Sequence, residues 1–204
     1  MNQQIETIIF DLGGVLIDWN PRHLYQHIFR TSDAMEHFLS EVCTSHWNEE
    51  QDGGRSFEEA TRILTKQFPH YSSEIGAFYG RWEEMLRGPI HGTVKILSEI
   101  RASGKYRIYA LTNWSAESFP VALGKYEFIH WFDGILVSGD ENMRKADHKI
   151  FHLMLSRYNI KKSKALFIDD NQLNINAAKE VGLQTIHFKN NEQCKLELQK
   201  HITW

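Results

Sequence analysis

Five short apolar runs stop abruptly at glycine or polar residues: Ile5–Phe10, Arg107–Leu111, Gly134–Val137, Ala165–Ile168 and Gln184–Phe188. Runs of this length without polar alternation predict strands buried on both faces, the habit of a parallel sheet. Between them apolar residues recur at helical spacing. Val94, Leu97 and Ile100 share one face, and Ile150, Phe151, Met154, Leu155 and Tyr158 share a second. Leu173, Ala177, Ala178 and Val181 form a third, followed by Gly182 where a helix C-terminus favours glycine.

From Asp18 to about Gly88 the strand runs vanish and helical periodicity takes over. Asn20-Pro21 makes an N-cap and first helical position ahead of Leu24, Tyr25, Ile28 and Phe29. Ser56 and Glu59 form a capping box before Ala60, Ile63, Leu64 and Phe68. Ile75, Phe78, Tyr79, Trp82, Met85 and Leu86 predict one further amphipathic helix. The expected fold is therefore α/β, a Rossmann-like parallel sheet with right-handed crossovers and an inserted all-helical cap. Its core comprises 1–17 and 89–204, and its cap 18–88.

Composition narrows the class without choosing a function. The 204 residues are 42% hydrophobic and 24% charged, the balance of an ordinary globular chain. With 23 basic against 26 acidic residues the net charge is −3, which offers no basic surplus for nucleic acid or an anionic membrane. Cys43 and Cys194 stand too far apart to suggest a metal pattern or a disulfide framework. The amino terminus has neither a basic start nor a long apolar run, and no stretch is apolar enough to span a bilayer. A cytoplasmic monomer is the expectation.

The chemistry collects at strand ends. IIFDLGGVLID puts Asp11 just beyond the first strand, with Gly13-Gly14 freeing the backbone to turn. YALTNWS puts Thr112 and Asn113 at the end of the second, LFIDDN puts Asp169 and Asp170 at the end of the fourth, and SGDENMRKAD carries Lys145 beyond the third. Open α/β sheets bind ligands outside the carboxyl ends of their strands. Three carboxylates brought together there call for a cation, and oxygen-only ligands favour Mg²⁺. A carboxylate nucleophile, a hydroxyl, a lysine and an acid pair fit phosphoryl transfer through an aspartyl phosphate.

On these four motifs, DxGGVL at Asp11, LTN at Thr112, Arg144-Lys145 and FIDD at Asp169-Asp170, the chain resembles the haloacid dehalogenase-like (HAD) hydrolase superfamily. The insert falls where that superfamily places a C1-type cap. The chain is most similar to the subgroup containing glucose-1-phosphate phosphatases and the phosphatase half of soluble epoxide hydrolases. The resemblance implies a Mg²⁺-dependent phosphatase of a small phosphorylated metabolite, for instance a sugar phosphate. It implies that Asp11 attacks phosphorus and ligates Mg²⁺ together with the Gly13 carbonyl and Asp170. Thr112 would bind a phosphoryl oxygen, helped by the Asn113 amide or side chain, and Lys145 would pair with Asp11 and the phosphate. Asp169 would act in the second shell or through water, with Asn174 as an accessory polar residue near the metal.

Two departures stand out. The family's phosphatases carry a second Asp two residues after the first, which protonates the leaving oxygen; here that position is Gly13. The enzyme is expected to favour acidic leaving groups or to borrow an acid from elsewhere. Ala146 replaces the usual Pro after the lysine, with a small expected loss of loop rigidity.

Further residues carry weaker signals. Trp19, Trp47 and Trp114 could wall a pocket between cap and core, and Arg144 could reach substrate. Gln51–Arg55 reads as a turn between cap helices, in a loop where relatives place substrate-facing residues. His23/His27 and His148/His152 have i,i+4 spacing but lack the rest of a zinc signature. Two other readings stay open: a 2-haloacid dehalogenase, which attacks carbon and needs no metal, and a phosphate-binding or receiver-like regulator without turnover.

Overall fold

A computed structural model describes residues 4–204; residues 1–3 of the expected core segment lie outside it. The strands are β1 (Thr7–Phe10), β2 (Ile17–Trp19), β3 (Leu86–Pro89), β4 (Arg107–Thr112), β5 (Gly134–Val137), β6 (Ala165–Asp169) and β7 (Gln184–His187). Five of them form a parallel sheet in the order β5-β4-β1-β6-β7. Its two faces are legible in the side-chain alternation of the strands. Ile8, Phe10, Ile108, Ala110, Leu166 and Ile168 enter one core cluster, while Ile9, Tyr109, Leu111 and Phe167 enter the other.

The cap carries α1 (Arg22–Tyr25), α2 (Ser32–Glu41), α3 (Ser45–Asp52), α4 (Phe57–Gln67) and α5 (Ser72–Gly80). The core adds α6 (His91–Ser103), α7 (Phe119–Lys125), α8 (Ser138–Glu141), α9 (His148–Arg157), α10 (Gln172–Val181) and α11 (Asn191–Leu198). Local rules explain several ends. The Ser56 hydroxyl accepts from the Glu59 amide at 3.2 Å to open α4. Gly182 closes α10 at φ 102°, in the left-handed region that favours glycine.

Three expectations need correction. The stretch between Asp18 and Gly88 is not wholly helical at its edges: β2 and β3 pair antiparallel, Ile17 opposite Pro89 and Asp18 opposite Gly88. Strands this short, interrupted by Asp18, Arg87 and Gly88, present no apolar run to find. The helix expected through Leu86 stops at Gly80; Trp82–Met85 tightens into a 3-10 turn and Leu86 enters β3. Leu173 does not face the core. It is 68% exposed, because the buried stripe of α10 runs through Asn174, Ile175, Ala177, Ala178 and Val181.

The ribbon of β2 and β3 brings together the two ends of the helical segment expected as the cap. Cap helices pack on one another through aromatic rings: Tyr25 lies 4.9 Å from Phe38 and Trp47 5.1 Å from Phe78, between centroids.

Candidate active site

Register places the chemistry. Phe10 lies opposite Ala110 of β4 and Ile168 of β6, so one step further along the sheet brings Asp11 level with the ends of both neighbours. The Asp11 amide donates to the Ile168 carbonyl at 2.8 Å, continuing the ladder to the strand end. Carboxylate oxygens of Asp11, Asp169 and Asp170 lie within 4.8 Å of one another.

Lys145 is the cation of this cluster, and its side chain is fully buried. Its ammonium lies 2.9 Å from Asp11 Oδ1 and 2.7 Å from Asp169 Oδ2, and donates to the Leu111 carbonyl at 3.0 Å. Asn113 fastens the loop that delivers it. The Asn113 amide nitrogen donates to the Lys145 carbonyl at 2.9 Å, and its Oδ1 accepts from the Lys145 amide at 2.8 Å. With the Asn113 side chain engaged in this way, its main-chain amide is the version of the expected phosphate contact that fits. The Lys145–Ala146 peptide is cis.

Asp169 is saturated by protein. It accepts from Lys145, from the Asn171 amide at 2.8 Å, and from Asn174 Nδ2 at 3.1 Å to each oxygen. Asn174 thus orients Asp169, and Asp169 in turn orients Lys145. Asp170, by contrast, is exposed. Its Oδ2 occupies space that a Cβ on Gly14 would enter, at 2.3 Å, and Gly14 sits at φ 73°. At Gly13 a Cβ would meet nothing within 4 Å.

The electrostatics ask for more positive charge than the chain supplies. Burial raises the Asp11 carboxyl well above the ordinary carboxylate range; Lys145 pulls it back, and Asp169 and Asp170 raise it again. Burial, then Asp169, raises Asp170 as well. For Lys145 burial opposes the charge, but Asp11 and Asp169 outweigh it and hold the ammonium above its usual value. At an effective dielectric near 20, each pair of like charges within 4.8 Å costs about 3.5 kcal/mol or more. With Asp169 taken up by Lys145, Asn171 and Asn174, the Asp11 and Asp170 carboxylates remain as hard oxygen donors that fit a divalent cation such as Mg²⁺.

One buried polar atom points to a second ligand. Thr112, at the end of β4, is fully buried and its hydroxyl has no partner among the described residues. Buried hydroxyls are normally hydrogen-bonded, so this one is available to a bound oxygen.

A cavity of about 60 Å³ separates cap from core at this edge. Gly13, Asn113 and Trp114 line it from the core, and Trp19, Asn48, Asp52 and Trp82 from the cap. Trp19 and Trp114 therefore stand where a pocket was expected. Trp47 does not line it and packs instead on Phe78 and Tyr79. Arg144 reaches cap carboxylates rather than this cavity, Glu49 at 3.3 Å and Glu50 at 3.2 Å. The histidine pairs stay apart from the site: His23 binds Asp18 and His148 binds Glu180. Sequence reasoning missed Asn48 and Trp82; Asp52 fell within Gln51–Arg55, read as a turn in a loop where relatives place substrate-facing residues.

Comparison with known proteins places the chain among relatives of one family. A family model described as haloacid dehalogenase-like hydrolase matches residues 5–182. The sesquiterpene phosphatase astK of Aspergillus oryzae is 28% identical over 97% of this chain and 96% of its own length. The drimenol cyclase drtB of Aspergillus calidoustus is 28% identical over 95% of this chain, which spans only 36% of that longer protein. A HAD family enzyme of Bacteroides thetaiotaomicron, solved with magnesium and inorganic phosphate, superposes with a TM-score of 0.68 at 22% identity, covering 91% of this chain and 95% of that one.

Proposed function

The chain belongs to the haloacid dehalogenase-like hydrolases, and from its site we propose that it is a Mg²⁺-dependent phosphatase of a small phosphomonoester, acting through a phosphorylated Asp11. The observation that carries this reading is the cluster of Asp11, Asp169 and Asp170 around Lys145, beside the unpartnered Thr112 hydroxyl. The near full-length match to a phosphatase, and the magnesium and phosphate held by a protein of the same fold, support it.

Asp11, the Gly13 carbonyl and Asp170 would hold Mg²⁺, which when bound offsets the excess carboxylate charge and polarises the phosphoryl group. Asp11 forms a bond to phosphorus as the bond from phosphorus to the leaving oxygen breaks. Thr112 donates its free hydroxyl to a phosphoryl oxygen, the Asn113 amide serves another, and Lys145 offsets the charge that develops between them. Asp169 and Asn174 keep Lys145 aimed. Water then attacks phosphorus, releasing inorganic phosphate and restoring the Asp11 carboxylate.

A screen of phosphorylated metabolites with Mg²⁺ tests the proposal. Phosphate release is expected from the wild type and not from Asp11→Asn, with a loss of at least 10³-fold, the order expected when a nucleophile is removed. Release that survives Asp11→Asn would falsify the mechanism. Chloride release from a 2-chloro acid, indifferent to EDTA, would instead make the protein a dehalogenase.

A further inference from the structure

Expulsion of an unactivated alkoxide from a phosphoester needs a proton on the leaving oxygen, and the residue two places after Asp11 has no side chain to give one. The space in front of Gly13 is open, since a Cβ there would touch nothing within 4 Å. Across that space stands the cap. Of the four cap residues on the cavity, Trp19, Asn48 and Trp82 do not titrate; Asp52 does. Resting on the phosphatase reading above, we propose that Asp52 is the general acid–base of this enzyme, supplied by the cap in place of the missing core aspartate.

Although Asp52 ends a cap helix, its position is set by the core. The Ser138 hydroxyl donates to the Asp52 carbonyl at 2.6 Å and accepts from the Trp114 amide at 2.9 Å. Asp52 is thereby pinned to the loop that follows Thr112-Asn113 and to the start of α8, which leads on to Lys145. The turn after it is docked just as closely. Gly54 sits at φ 103°, and a Cβ there would overlap Asn142 Oδ1 of the core. Glu49 and Glu50 on the same helix hold Arg144. On the cap side Gln51 is buried and donates to the Trp47 carbonyl at 2.7 Å and to the Tyr79 hydroxyl at 2.6 Å. The residue between these anchors has little freedom to leave the cavity wall.

The surroundings suit proton exchange near neutrality. Burial, followed by the charge of Glu49, pushes the Asp52 carboxyl up to about 7, against the pull of Arg144, Lys145 and the Ser115 amide. Below that pH the group carries a proton and can donate it; above it, the proton is gone. In the first half-reaction the Asp52 proton passes to the leaving oxygen as its bond to phosphorus breaks and the Asp11–phosphorus bond forms. In the second, the Asp52 carboxylate takes a proton from the water that attacks phosphorus, the bond from phosphorus to Asp11 breaks, and both carboxyl groups return to their starting states.

Steady-state kinetics of the full chain with Mg²⁺ decide the matter, using monophosphate esters from acidic nitrophenols to unactivated alcohols. In the wild type kcat/KM should depend weakly on leaving-group pKa and fall above about pH 7 on alkyl esters. Asp52→Asn should lose roughly 10²–10⁴-fold on alkyl esters and far less on nitrophenyl phosphate, and its basic limb should vanish. Unchanged binding of inorganic phosphate with Mg²⁺ shows that the variant is folded. A loss equal on all esters, or none, with the pH limb retained, overturns the role of Asp52 while leaving the phosphatase intact. A wild type that hydrolyses no ester, activated or not, removes the phosphatase reading and this proposal with it.

Discussion

Gly14 is held to glycine by two independent constraints, a left-handed φ of 73° and the Asp170 carboxylate in the space of its missing Cβ. Sequence reading found the first reason, a sharp turn after Asp11, but not the second, because nothing local links residue 14 to residue 170. Gly14→Ala therefore has two costs. The backbone term should destabilise the fold by about 1–2 kcal/mol in urea unfolding. Displacement of Asp170 should also raise the Mg²⁺ concentration needed for half-maximal activity by several-fold. An unchanged Mg²⁺ requirement would separate Asp170 from the metal. The aspartates, Thr112 and Lys145 were legible because each ends a strand or lies in the connection after one, and parallel strands deliver their ends to one edge. Asn48 and Trp82 were not, and Asp52 showed only as part of a turn, since the cap–core seam joins segments that share no period or register.

The elements differ in how plainly the chain writes them. Strands β1, β4 and β6 are buried on both faces and show as unbroken apolar runs; the β2–β3 ribbon, half polar and very short, does not. The loops at the sheet edge are shaped by side chains that serve the backbone, as where Asn113 grips both main-chain groups of Lys145. Ser138 does the same across the seam between cap and core. Ser138→Ala leaves the buried Trp114 amide and Asp52 carbonyl without their shared partner, at a cost of about 1–3 kcal/mol. Beyond that loss of stability, its kcat/KM should become more sensitive to leaving-group pKa, in the same sense as Asp52→Asn. Destabilisation without that change would mean that the hydroxyl only supports the fold.

At the scale of the molecule, the insertion divides the labour. The sheet edge holds Asp11, Lys145 and the acid pair in a fixed register, and the helical segment brings Trp19, Trp82 and Asp52 to the same cavity. Composition was silent on all of this, because a net charge of −3 is unremarkable until three aspartates are placed around one lysine. What most directly tests the account is the covalent intermediate. Acid quench of the Mg²⁺-loaded enzyme during turnover of a radiolabelled phosphoester, followed by peptide mapping, should find phosphoryl label on the peptide carrying Asp11, in an alkali-labile linkage. Steady release of phosphate with no label on Asp11, or with label on another residue, would contradict it.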